Sequence, residues 1–183
     1  VFAAAAGCRD AGSVSHRRTD AVPTSTAPET PSLFTRAALS EAMAAIRSRV
    51  GDAEVLSAEL FPARAAIQVQ LASEPHRVVQ YEWKSRRLFG PEPVQLRGNG
   101  SLDANLFPLS AVDFGSVPDL IEAAVERVDP GHGKAARVLV RRNLPADEAI
   151  GMRVYVESPI RNGHVDADAR GRVAAEKSER SAL

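Results

Sequence analysis

Residues 53–69 can be laid on residues 136–152 without a gap, an offset of 83, and seven of the 17 positions are identical. The identities are Ala53/Ala136, Val55/Val138, Leu56/Leu139, Pro62/Pro145, Ala63/Ala146, Ala66/Ala149 and Ile67/Ile150. Alanine is common here, so the Val-Leu pair, the proline and the isoleucine carry most of the weight. A self-similarity of this kind limits the fold to one in which a small supersecondary unit occurs twice.

The pattern of each half names that unit. Leu39, Met43, Ile46 and Val50 recur at helical spacing, with Ala42 widening the stripe, so a helix is expected over about Leu33–Val50, ended by Gly51. A strand over Ala53–Leu60 follows. Ile67, Val69 and Leu71 then alternate with Gln68 and Gln70, and Val79, Tyr81 and Trp83 alternate with Gln80, Glu82 and Lys84, which predicts two half-buried strands. The second half repeats the order. A helix over Val117–Val128 has Ser116 as a candidate cap, Pro118 in its first turn and Asp119 near its positive dipole end. Pro130 and Gly131 stop it, and strands are expected at Ala136–Arg141, Ile150–Glu157 and His164–Ala169. Between the halves, Leu88–Phe114 carries Pro91, Pro93, Gly98, Gly100 and Pro108 and reads as a turn-rich connection with one short strand around Val94–Arg97.

The expected class is therefore α+β: two tandem helix-plus-three-stranded antiparallel sheet units, about 33–90 and 116–173, forming one domain over 33–173. One unit of about 60 residues buries little by itself. Two can share a core or a continuous sheet, and either arrangement leaves one sheet face free.

The ends have a different character. Residues 1–8 read Val-Phe-Ala-Ala-Ala-Ala-Gly-Cys. The small-residue run Ala5-Ala6-Gly7 before Cys8 resembles the bacterial lipobox, with alanine at position 5 where leucine is commoner. The resemblance implies the tail of a signal peptide and a diacylglycerol on the Cys8 sulfur, the alternative being an Ala-rich leader with a stray cysteine. Each buried acyl methylene contributes roughly 0.8 kcal/mol, so two or three chains hold a protein on a bilayer. Arg9, not Asp, follows the cysteine, which in a Gram-negative lipoprotein implies the outer membrane. Residues 9–32, rich in Ser, Thr, Pro and charge, are expected to be an extended tether, and 174–183 a frayed tail. Cys8 is the only cysteine, so no intramolecular disulfide and no multi-cysteine metal site can form.

Helix followed by a three-stranded meander, closing on the strand–turn–strand of residues 165–173, resembles the PepSY-like repeat. Tandem repeats of this kind also occur in the beta-lactamase-inhibitor-protein group. The resemblance rests on pattern and covers most of 33–173. It implies an exported binding or inhibitory module, and it brings no catalytic residues.

Chemistry is sparse. The chain has 23 basic and 23 acidic side chains, and neither a basic stripe in sequence nor a polybasic run, so nucleic acid is not an expected partner. His16, His76, His132 and His164 stand apart, with no ligand spacing, so neither a metal nor a cofactor is expected. Gly131-His-Gly-Lys134 is not a phosphate loop: it leads from helix to strand, and Ala135 follows the lysine. Asp166 and Asp168 share a strand face, which suits either acid/base work or a solvated surface. Val79, Tyr81 and Trp83 are core by alternation; the alternative is an aromatic binding face. Arg141, Arg142, Arg153 and Arg161 cluster in the second unit, either as a mildly basic patch or as a scattered solvated set. The candidate binding residues are therefore Tyr81, Trp83, Arg141, Arg142 and Arg153. The expected function is a non-enzymatic lipoprotein of the bacterial envelope that binds or restrains another protein. The alternatives are a small-ligand or lipid carrier, and an envelope hydrolase resting on the two aspartates.

Overall fold

The structure is a computed structural model, and it describes residues 31–97 and 100–174. The lipobox-like segment with Cys8, all but the end of the expected tether and nearly all of the expected tail lie outside the described residues.

Helix α1 spans Arg36–Val50 and buries Leu39, Ala42, Met43 and Ile46. It starts after Leu33, which the pattern placed inside it, because Leu33 is in a turn whose N–H donates to the Pro62 carbonyl at 2.7 Å. Thr35 caps the helix by accepting from the Ala38 N–H. At the other end Gly51 adopts φ 67°, a conformation that favours glycine, and its N–H donates to the Arg47 carbonyl.

Four antiparallel strands follow where three were expected: β1 Glu54–Phe61, β2 Arg64–Leu71, β3 Glu74–Lys84 and β4 Arg87–Pro93. Ser85 and Arg86 form the last turn with φ 51° and 57°, the left-handed pair that a tight hairpin uses to match strand twist. No strand forms over Val94–Arg97; the extra strand is β4, Arg87–Pro93, most of it within the segment expected to be a turn-rich connection. Proline does not prevent it, because β4 is an edge strand whose outward side needs no ladder donor.

The connection then builds a single-turn helix α2 (Leu102–Asn105), a two-residue strand β5 (Phe107–Pro108) pairing with the start of β1, and two 3-10 turns. Phe107 faces Val55, and both are fully buried. Helix α3 spans Val117–Val128, as its sequence pattern predicts. Ser116 does not cap it. The preceding 3-10 turn already holds Ser116 in a helical conformation, and its hydroxyl donates to the Asp113 carbonyl. Strands β6 Lys134–Arg142, β7 Ile150–Glu157 and β8 Gly163–Asp168 complete the chain.

All strands join one antiparallel sheet in the order β4-β3-β2-β1-β6-β7-β8. The first strand after each long helix meets the other at the centre, through Ala58↔Val140, Glu59↔Leu139 and Leu60↔Val138. The remaining strands fan outward on either side. The class is thus α+β, with helices and an antiparallel sheet. The two halves differ in detail: Phe61↔Arg64 close a tight turn at 62–63, whereas Arg142↔Ile150 close a longer loop over 143–149. The gap-free overlay therefore fails at this hairpin, and Ile67 lies deep in β2 while Ile150 only opens β7.

One continuous core lies between the helices and one face of the sheet. Alternate residues supply it: Ala58 and Leu60 from β1, Ala65, Ile67 and Val69 from β2, Val138 and Val140 from β6, Met152, Val154 and Val156 from β7. No polar or charged side chain among the described residues is buried. The chemistry of the described part is therefore on its surface.

Candidate interaction surface

The sheet face opposite the helices carries the other half of the alternation. Residues opposite one another in neighbouring strands point to the same side, so the registers assemble three rows across this face. At one end Lys84↔Arg64 and Arg64↔Phe61 lead to β1. The register Leu60↔Val138 brings Phe61 beside Arg137, and Arg137↔Tyr155↔His164 continues the row to β8. The middle row runs Phe89, Glu82, Ala66, Glu59, Leu139, Arg153, Asp166. The third contains Gln80, Gln68 and Ser57 in the first half and Arg141, Gly151 and Asp168 in the second.

The rows are knitted by side chains. The Arg64 guanidinium lies 3.9 Å over the Phe61 ring, with Nη1 3.9 Å from Glu82 Oε1. Arg137 lies 4.3 Å over the Tyr155 ring, with Nη1 3.8 Å from Glu59 Oε2. These contacts seat the two cations over aromatic rings. Arg153 grips Asp166 in a two-pronged bond, Nε to Oδ1 at 2.6 Å and Nη2 to Oδ2 at 2.8 Å. That bond lowers the Asp166 carboxyl below its ordinary range despite partial burial, and raises the Arg153 guanidinium above its own. His164 Nε2 is 4.0 Å from Asp166 Oδ2, and its ring is tilted 42° to that of Tyr155 at 6.1 Å.

The residues singled out in the sequence divide. Arg141 and Arg153 lie on this open face. Tyr81 does not: it is 7% exposed, on the helix-covered side, opposite Ile67. Trp83 shares that side, half-buried beside Leu33, Ala38 and Pro62 at the edge of the core. Alternation predicts both as core, and neither is offered to a partner on the open face. Arg142 also leaves the candidate surface: its guanidinium donates to the Leu106 carbonyl at 2.8 Å and to the Glu148 carbonyl, tying two loops together. Arg161 donates to the Val128 carbonyl, pinning the β7–β8 loop to the end of α3. The two strand aspartates go to separate tasks. Asp166 accepts from Arg153, and Asp168 accepts from the Arg172 side chain and from the N–H groups of Arg170 and Arg172 in the closing turn.

Sequence reasoning missed Phe61, Arg64, Arg137 and Tyr155. Each sits at a polar position of an alternating strand, and that was the available signal; their convergence depends on strand order. His132 lies in the turn after α3, 3.8 Å from Asp129, away from this face. Among the described residues no group of three His, Cys, Asp or Glu side chains could hold a metal ion, and no helix is long and apolar enough to cross a membrane. A groove of about 430 Å³ lies on the opposite side, between α1 and Phe114–Pro118, but its floor of Leu39, Met43 and Phe114 is already buried. The chain matches no family model, no curated protein and no solved structure.

Proposed function

We propose that this chain is a lipid-anchored protein of the bacterial envelope whose open sheet face binds another protein without catalysing a reaction. The observation that carries the reading is the face itself. It crosses the full width of the sheet, mixes aromatic, apolar and charged groups, seats Arg64 and Arg137 over aromatic rings and fixes Arg153 on Asp166. Such a preorganised surface suits macromolecular recognition, since ordering its side chains on binding costs little further entropy.

The same reading takes the two halves as a duplicated unit. Each half runs from a long helix into an antiparallel meander, of four strands in the first and three in the second, and β1 meets β6 at the centre; both features support it. Duplication doubles a small core and produces a sheet wide enough to serve as a platform. The anchor rests on Cys8 and the residues before it, and it would place the domain on a tether beside the membrane.

Capture from detergent-solubilised envelope tests the binding. A partner retained by the native chain is expected to be lost with Leu139→Asp, at the centre of the face, and kept with Arg47→Gln on α1. Retention unaffected by Leu139→Asp would overturn the reading. The groove beside α1 favours a second reading, a small-ligand or lipid carrier. Native mass spectrometry of gently purified protein distinguishes it by a bound mass.

A further inference from the structure

We infer that the row Lys84, Arg64, Phe61, Arg137, Tyr155, His164 is a docking line for an acidic, extended peptide segment of the partner, laid across the strands. The inference deepens the proposed binding function and rests on it. Three permanent cations lie in one row, from β3, β2 and β6, while the acidic side chains Glu82 and Glu59 stand one row back. This row therefore holds three cations and no carboxylate, although the chain as a whole is balanced, 23 against 23. A balanced sequence hides the stripe because its members come from separate strands.

The line fits a peptide in length. Strands β3, β2, β1, β6, β7 and β8 are about 4.8 Å apart, so the row spans roughly 24 Å. An extended chain advances about 3.3–3.6 Å per residue, so roughly seven residues cover it. It also fits in chemistry. Arg64 and Arg137 sit over Phe61 and Tyr155, and neither guanidinium makes a hydrogen bond among the described residues, which leaves N–H groups to meet carboxylates in a fork. Their tethers to Glu82 and Glu59 are 3.9 and 3.8 Å, loose enough to exchange for an incoming carboxylate.

A single-stranded nucleic acid fits worse. Bases need open ring faces for stacking, and the two guanidiniums cover the Phe61 and Tyr155 rings.

Fluorescence anisotropy with the full chain tests the line, using labelled hepta-glutamate, hepta-lysine and a seven-residue oligothymidylate as probes. Hepta-glutamate is expected to bind at low salt and to weaken as salt rises. The Arg64→Gln/Arg137→Gln double variant is expected to bind it about ten-fold or more weakly. Arg47→Gln removes one cation elsewhere and is expected to leave binding unchanged. The inference is overturned if hepta-glutamate does not bind, if the double variant binds it as the native chain does, or if oligothymidylate binds more tightly. Capture that depends on Leu139 but not on Arg64 and Arg137 would remove the docking line and leave the proposed function standing. Capture that depends on no residue of the face would remove both.

Discussion

Arg36 Nη2 donates to Asp119 Oδ1 at 2.7 Å, and the two residues are separated by 83 positions, the same offset at which 53–69 overlays 136–152. Arg36 opens α1 and Asp119 lies in the first turn of α3, so the starts of the two long helices are tied to each other. Arg36 also donates to the Gly115 carbonyl at 2.7 Å, just before α3. The carboxylate sits where a helix dipole favours negative charge.

Both side chains are well exposed, so the ion pair itself is expected to contribute only about 0.2–1 kcal/mol. A double-mutant cycle with Arg36→Ala and Asp119→Ala, followed by urea unfolding, reads that coupling directly. Arg36→Ala is expected to cost more than Asp119→Ala, because it also leaves the Gly115 carbonyl without this donor. Equal single costs would show that the carbonyl contact is worth no more than the interaction of Asp119 with the α3 dipole.

Phe107 is the largest fully buried side chain, brought to β1 by a two-residue strand inside a connection rich in turns. Phe107→Ala is expected to cost about 3–5 kcal/mol through lost transfer energy and the cavity left behind. A shift in the urea midpoint of that size would show that the connection is part of the core; a shift within experimental scatter would show that it folds over separately.

Gly90 lies in β4 with φ 102°, and a Cβ there would fall 2.5 Å from the Gln80 carbonyl oxygen and 3.2 Å from the Tyr81 Cα. Gly90→Ala is expected to cost about 1–3 kcal/mol, since both the backbone angle and the neighbouring strand must give. Thermal unfolding measures it. Gly131→Ala, at a position with no such close approach, is the matched control.

Acid stability should carry the mark of Asp166. Arg153 holds its folded-state carboxyl below the unfolded-state value of about 3.9, so its charge favours the fold above that pH. As pH falls through the folded-state value, Asp166 protonates and that contribution is lost. The urea midpoints of the native chain and of Asp166→Asn are therefore expected to differ at about pH 6 and to converge as pH falls below about 3.9. A gap of equal size at both ends would assign the effect to packing.

Cys8 has a test independent of the folded domain. Cys8→Ser is expected to move the chain from membrane to soluble fractions and to abolish incorporation of labelled palmitate in cells. Unaltered fractionation would refute the anchor.

How much was legible follows from the range of each signal. Val117–Val128 could be read to the residue, because its apolar stripe, first-turn proline and stop signals are all local. Ile150–Glu157 was equally plain, since Met152, Val154 and Val156 alternate without interruption. The same alternation placed Tyr81 and Trp83 on the core side, and it marked Gln68, Gln80 and Arg153 as facing outward. Less local features escaped. The strand expected at Val94–Arg97 does not form, and β4 occupies Arg87–Pro93 instead, because pairing with β3, not local propensity, decides where an edge strand begins and ends. Ser116 lost its capping role to a 3-10 turn that no spacing announces.

The amino-acid pattern by itself determined the class, the two long helices and which side of each strand meets water, because a period of 2 or 3.6 residues is written in neighbours along the chain. Tertiary structure alone decided that β1 meets β6, that Arg142 ties two loops together, and that Arg64, Phe61, Arg137 and Tyr155 share a row. Those relations join residues tens of positions apart, and they exist only once backbone hydrogen bonds have chosen the strand order and its register.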